Sequence, residues 1–146
     1  MNIERTGTDL QDTLVELTDL ALQAKQAHWN LTGPRFLSLH AQLDTLTAEL
    51  RAGADELAER AATIGYAPDG RSSTVAKESP LAEMPSGSLA DTAVVDLIVQ
   101  ALDVVVERVR TRVRHLDQLD PVSHDLLIGV AHGLEKQRWM FNAQRA

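Results

Sequence analysis

The sequence predicts an all-α fold, namely a four-helix bundle in which one long crossover joins the second helix to the third. Three observations support this prediction. Apolar residues recur every three or four positions in four long stretches, which is the period of a helix buried along one face. Glycine, proline and polar residues break this pattern at residues 32–34, 66–88 and 120–121. Aromatic residues make up only 3% of the chain, so Leu, Val, Ile and Ala must build the core.

The first two predicted helices form a hairpin with a short link. The first begins near Thr8, which can cap it, and ends at about Leu31. The second runs from around Arg35 to about Ile64, and Gly65 is a suitable C-cap. The apolar positions are Leu10, Leu14, Leu17, Leu20 and Ala24 in the first helix and Phe36, Leu39, Leu43, Leu46, Leu50, Leu57 and Ile64 in the second.

The crossover and the last two helices complete the predicted bundle. A connection as long as residues 66–88 is unusual unless it contains structure of its own, and residues 73–79 can form one short helix before Pro80. The third helix runs from about Leu89 to Leu119, and the fourth from about Pro121 to Asn142. The inward positions of the fourth helix are Leu126, Leu127, Val130, Leu134 and Trp139. A single long crossover is typical of the ferritin-like variant of the four-helix bundle.

Length and composition limit the functions that are open to the chain. Its 146 residues suit one domain, residues 1–146. Because cysteine is absent, a metal site must use His, Asp and Glu, which suit iron, manganese or zinc. A net charge of -7, with one Arg in the first ten residues and two in the last ten, argues against a polybasic DNA-binding arm. Since neither a signal peptide nor a transmembrane stretch is recognisable, we expect a cytoplasmic protein that does not enter membranes.

Five residues are candidate metal ligands, namely His28, His40, Asp44, Asp55 and Glu59. His40 and Asp44 are four residues apart, as are Asp55 and Glu59, so each pair lies on one helix face and can bind one metal ion. His28 comes near His40 if the first two helices fold back on each other. On a helical wheel the two pairs form a polar stripe about 100° or more from the apolar seam, so they face away from the subunit's own core.

The two pairs of ligands lie too far apart for one chain to bring them to one metal ion. Asp44 and Asp55 are separated by about 16 Å along the helix axis, whereas metal ligands lie about 2 Å from the ion. A second copy of the helix that packs antiparallel across a two-fold axis near Glu49 and Leu50 brings the pairs together. Such a contact creates two equivalent centres in each dimer. The alternative interpretation is a solvated polar face, which any surface helix shows.

Several strings in the sequence closely resemble the Dps family of mini-ferritins. These strings are KQAHWNLTGPRF at residues 25–36, Leu39-His40 with Asp44, and DELAER at residues 55–60. The family pattern is K-x-x-H-W-N-x-x-G-x-x-F-x-x-L-H-x-x-x-D, followed eleven residues later by D-E-x-A-E-R. The segment from Glu135 to Met140 is also similar to the family's fourth helix, and the resemblance covers nearly the whole chain.

The resemblance implies a dodecameric homo-oligomer with a ferroxidase centre at each two-fold interface. His28, His40 and Asp44 then come from one subunit, and Asp55 and Glu59 from its partner. The implied activity is oxidation of Fe(II), preferably by hydrogen peroxide rather than dioxygen, followed by storage of the ferric mineral in a hollow shell, which protects DNA. By this resemblance, Asp55 and Glu59 with His28 of the partner subunit hold the tighter iron, and His40 and Asp44 lie nearer a second, weaker position. The same ligands suit zinc, which can compete.

Other interpretations predict different behaviour. A nucleoid protein that coats DNA needs a basic tail, so we expect DNA binding to be weak or absent. A purely structural bundle predicts a monomer. A metal centre inside one bundle needs Glu-x-x-His motifs, but His132 and Glu135 occur in the reversed order and a second such motif is absent from the sequence. Asp117, Asp120 and Asp125 are candidates for a pore that attracts cations, although a solvated loop explains them equally well.

Overall fold

Four long helices dominate the computed structural model, which describes residues 1–145. The elements in chain order are α1 (Ile3–Asn30), β1 (Leu31–Thr32), α2 (Phe36–Thr63), α3 (Ser72–Glu78), β2 (Leu89–Ala90), α4 (Asp91–Leu116) and α5 (Pro121–Asn142). The helix α1 packs along α2, and α4 packs along α5. The predicted all-α bundle with a short crossover helix is therefore confirmed. In the part of the chain described here, every helix is too short or too polar to cross a membrane.

The first helix begins five residues earlier than the sequence predicts. Asn2 is its N-cap, since its side-chain oxygen accepts a hydrogen bond from the backbone N–H of Arg5 at 3.1 Å. Thr8 lies inside the helix, where its hydroxyl donates to a helix carbonyl, so the predicted cap is wrong. A tertiary contact accompanies the additional turn. Gly7 is buried against Tyr66, and a Cβ at this glycine would lie 2.1 Å from the Tyr66 ring.

The apolar seams meet in one core between the four helices. The predicted seam of α2 is buried from Leu39 to Leu57 and at Ile64. In α5, Leu127 and Leu134 face inward as predicted, but Trp139 is 67% exposed and Phe141 is buried in its place. A heptad step from Leu134 reaches residue 141, whereas residue 139 lies five positions on and faces a different side of the helix. The prediction for Trp139 is therefore wrong.

A short parallel bridge fixes the link between α1 and α2. β1 pairs with β2, and Leu31 lies opposite Leu89. Directly after β2, Asp91 accepts a hydrogen bond from the backbone N–H of Arg35 at 3.0 Å. This carboxylate lies so close to Gly33 that a Cβ there would be 2.8 Å from it, and Gly33 has a φ of +123°. The bridge fixes the turn between α1 and α2, on which the geometry of the candidate site depends. Because Leu89 and Ala90 form β2, α4 begins at Asp91 and not at Leu89.

A buried cluster of charged residues joins α1 to α4. Glu16 is only 1% exposed, and its carboxylate accepts hydrogen bonds from both terminal nitrogens of Arg112 at 2.6 and 2.7 Å. Arg108 also pairs with this carboxylate, and Thr13 accepts a further bond from Arg112 at 3.1 Å. Since every charge in the cluster has a partner, the bundle tolerates it.

Candidate metal centre

The link between α1 and α2 brings two of the five predicted ligands together. His28 lies in the last turn of α1 and is buried, while His40 lies in the second turn of α2 and is half-buried. Their rings stack with centroids 3.6 Å apart and an angle of 12° between the ring planes. The ring of Phe36 packs on the ring of His40, with the two ring centroids 5.0 Å apart. The two imidazoles are therefore held in one place.

The hydrogen bonds of the two histidines determine which nitrogen is free for a metal ion. Nδ1 of His28 lies 2.6 Å from the carbonyl oxygen of His40, and Nδ1 of His40 lies 2.8 Å from the carbonyl oxygen of His28. A carbonyl can only accept, so each Nδ1 must carry the proton and donate. In a neutral ring, Nε2 then keeps its lone pair. Orientation by a backbone carbonyl is the usual support for a histidine that binds a metal.

A lysine pairs with the third predicted ligand, Asp44. The ammonium group of Lys25 contacts the Asp44 carboxylate, and this hydrogen bond and charge hold the pKa of the carboxyl below its usual value. The Asp44 side chain remains 57% exposed. Residue spacing alone indicates no role for Lys25, although its position one helical turn before His28 places both side chains on one face of α1.

The remaining two ligands lie farther along the same helix. Asp55 and Glu59 are both exposed on α2, several turns beyond Asp44. Within residues 1–145, His, Asp and Glu side chains do not converge in any group of three that could hold a metal ion. The separation of about 16 Å between the two pairs accounts for this finding. A second copy of α2 is needed to complete a centre of five ligands, and that pairing remains a prediction.

Large apolar side chains are exposed around these ligands. Trp29, which follows His28, is 66% exposed, and Leu37, three residues before His40, is 78% exposed. Leu22 is exposed on the adjoining part of α1. Exposed apolar patches that surround a polar site are typical of surfaces that bind another protein. This surface is the one that a second copy must cover if the ligands are shared.

The three acidic residues around the link between α4 and α5 differ in their burial and in their partners. Asp120 is buried, and it accepts a hydrogen bond from Arg60 at 2.8 Å and another from the hydroxyl of Ser123. Its predicted role in attracting cations is therefore wrong, because its charge is already neutralised. Asp117 and Asp125 are exposed, and a role for them in iron entry remains a prediction.

Comparisons with known proteins agree with the fold and with the sequence strings. The ferritin-like domain family matches residues 8–146. DNA protection during starvation protein 2 of Deinococcus radiodurans is 36% identical over 97% of this chain, which spans 59% of the length of that protein. A crystal structure of Dps92 from Deinococcus radiodurans matches with a TM-score of 0.95 and 36% identity, covering 97% of this chain and 86% of that one.

A second solved structure extends the agreement. Dps from Microbacterium arborescens, described in a high iron form, matches with a TM-score of 0.92 and 30% identity, covering 97% of this chain and 92% of that chain. The likeness thus includes the crossover and both helical hairpins, and it extends well beyond the motif at residues 25–60. On its sequence, its fold and these relatives, the chain belongs to the Dps family of ferritin-like proteins.

Proposed function

We propose that this protein oxidises Fe(II) at centres shared between two subunits and stores the ferric product, and that it thereby protects DNA from oxidative damage. The observation that carries this proposal is the pair of stacked imidazoles at His28 and His40. Their Nδ1 atoms both donate to backbone carbonyls, which leaves both Nε2 atoms available as ligands. The carboxylates of Asp44, Asp55 and Glu59 supply the rest of the ligand set.

This ligand set suits the chemistry of iron oxidation. Imidazole and carboxylate ligands bind Fe(II) and leave positions open for an oxidant. Each Fe(II) supplies one electron, so two neighbouring ions reduce one hydrogen peroxide molecule with two protons to two water molecules. Hydroxyl radical, the product of a one-electron reduction, is then not released. We take hydrogen peroxide as the preferred oxidant and dioxygen as the slower one, as the resemblance implies.

The centre that we propose needs a homo-oligomer. An antiparallel pair of α2 helices brings His40 and Asp44 of one subunit to Asp55 and Glu59 of the other, and a two-fold contact makes two such centres. We extend this dimer to a dodecameric, cytoplasmic shell with an iron-storing cavity. The support for iron in this family is the description of the Microbacterium arborescens protein in a high iron form.

Physical coating of DNA is the alternative route to protection. The relatives named for DNA protection favour it, but the net charge of -7 opposes it. We therefore expect weak or no binding to duplex DNA at physiological salt. A gel shift at low micromolar protein that does not weaken as salt increases would show that coating is the main activity.

Iron loading followed by size-exclusion chromatography tests the proposed function directly. The protein is loaded with Fe(II) without oxygen, given sub-stoichiometric hydrogen peroxide, and traced together with its iron. We expect rapid oxidation and iron that elutes with a particle far larger than one chain. Asp55→Ala with Glu59→Ala should abolish the rapid phase, whereas Glu107→Ala, at an exposed carboxylate on α4, should not.

The other outcomes of this experiment are equally informative. A large particle that does not oxidise iron, even after chelation of competing zinc, contradicts the ferroxidase proposal and leaves only a shell. A small species that retains no iron contradicts both the shell and the centre.

A further inference from the structure

Arg51 is an exposed arginine on the face of α2 that carries the predicted metal ligands. On a helical wheel it falls within about 20° of both His40 and Asp44. It also lines a groove between α1 and α2, and Asp55 forms part of the same wall. The proposed function requires this face to lie against a second subunit. The guanidinium group of Arg51 then lies between the two shared centres.

Arg51 lacks an ion-pair partner among residues 1–145 of its own chain. By contrast Arg60, the other arginine of α2, pairs with Asp120 at 2.8 Å. Asp55 lies only one turn beyond Arg51, but a base four residues before an acid is the less favourable order in a helix. Helix side chains lean toward the N-terminus, so that of Arg51 leans away from Asp55. Its charge is therefore available to another subunit.

The two-fold axis of the proposed dimer determines which residues of the partner face Arg51. In that register Arg51 lies opposite Ala48 of the partner subunit, a small residue that leaves room for a long side chain. Asp55 of the partner subunit lies opposite Asp44, which is seven residues from Arg51, or about 10.5 Å along the axis. Because the helices are antiparallel, the side chains of Arg51 and of the partner's Asp55 lean toward each other. The long arginine side chain spans most of the distance between them.

The charges of an iron-free centre favour a pair between these two side chains. Three carboxylates meet in each centre, those of Asp44 from one subunit and of Asp55 and Glu59 from its partner. Lys25 already pairs with the first of them. The other two have like charges, whose close approach across an interface is costly. Arg51 supplies the second cation that the dimer needs at this place.

We propose that Arg51 is a positioning residue of the shared centre, whose guanidinium group pairs with Asp55 of the partner subunit and orients that carboxylate toward the metal ion. This inference rests on the proposed two-fold centre. One carboxylate oxygen can accept hydrogen bonds from the guanidinium group while the other binds the metal. Loss of a group that supports a metal ligand in this way typically weakens metal binding by about ten- to a hundredfold.

Exchange of the two charges between chains tests the pairing without any metal. Arg51→Asp alone and Asp55→Arg alone each place like charges opposite each other in a homodimer, whereas a mixed dimer of the two variants contains both ion pairs, one of them reversed. In the presence of a chelator, we expect the co-expressed chains to assemble with a thermal midpoint at least about 2 °C above that of either variant. If Arg51 paired with Asp55 of its own chain, the mixture would lie between the two variants.

A titration of the iron-free protein with Zn²⁺ tests the positioning role. Arg51→Ala should weaken the tighter Zn²⁺ site about tenfold, and Arg51→Lys should recover part of the loss, because lysine keeps the charge but not the two-pronged geometry. Arg114→Ala, at an exposed arginine on α4, should leave the affinity unchanged. When Asp55→Ala is already present, Arg51→Ala should have no further effect, since the carboxylate that it orients is gone.

The outcomes separate this role from the proposed function. An assembled wild-type protein whose two charge variants show no recovery when mixed, or whose Zn²⁺ affinity is unaffected by Arg51→Ala, overturns the role of Arg51 and leaves the shared centre standing. A wild-type protein that remains a single chain contradicts both, because both need the same dimer. Recovery in the mixture, together with a wild-type protein that does not oxidise iron, supports the pair and contradicts only the ferroxidase proposal.

Discussion

Complementation between two inactive variants is the sharpest test of a metal centre shared across a two-fold axis. One chain carries His40→Ala with Asp44→Ala, and the other carries Asp55→Ala with Glu59→Ala. Each variant alone lacks one half of every centre and should have no rapid iron oxidation. The three carboxylates are exposed, so their substitution should leave the fold intact.

The expected activity of a mixture follows from the geometry of α2. In a mixed dimer, one centre loses both pairs of ligands, while the other receives one intact pair from each chain. Random pairing makes about half of the dimers mixed, and each of these has one intact centre out of two, so about a quarter of the wild-type rate should return. The separation of about 16 Å between Asp44 and Asp55 prevents either chain from restoring a centre alone.

The assay is stopped-flow oxidation of Fe(II) by hydrogen peroxide, with the two chains co-expressed and their mixing confirmed by native mass spectrometry. Recovery near a quarter of the wild-type rate supports shared centres. No recovery in a confirmed mixture, or full activity of either variant alone, would refute the assignment of ligands to two subunits.

Three further outcomes are expected. Lys25→Met removes the ammonium group that pairs with Asp44, and it should tighten binding of the second metal ion in each centre by up to about fivefold in a Zn²⁺ titration. The effect is small because exposed ion pairs contribute little. Unchanged affinity would contradict this prediction. Glu16→Leu leaves the buried Arg112 without its main partner. It should lower the free energy of unfolding by about 3–5 kcal/mol, measured in urea at fixed protein concentration. Adding Arg112→Leu removes the unpaired charge and should recover part of the lost stability. Burial acts to raise the pKa of Asp120, but hydrogen bonds from Arg60 and a nearby hydroxyl hold the pKa below its usual value. The stability that the ionised Asp120 carboxylate gives the folded state should therefore be complete above about pH 3.9 and decline as the pH falls further. Acid unfolding measures this decline, and Arg60→Gln should make it smaller.

Much of the fold could be predicted because the helical period is a local property. Apolar spacing located α2 to within one or two residues at each end, and it located the seam from Leu39 to Leu57 correctly. The errors lie where contacts distant in sequence decide. Burial against Tyr66 accompanies a start of α1 before Thr8. In α5, packing against the other helices buries Phe141 and leaves Trp139 exposed.

The candidate site shows the same division. Spacing alone places two pairs of ligands on one face of α2 and keeps them too far apart for one ion, because helix geometry is set by the backbone. Only the folded structure shows that His28 and His40 exchange hydrogen bonds through Nδ1, that Lys25 pairs with Asp44, and that Asp120 is already neutralised. A sequence pattern reports which face a side chain occupies, whereas its partner depends on how separate helices meet.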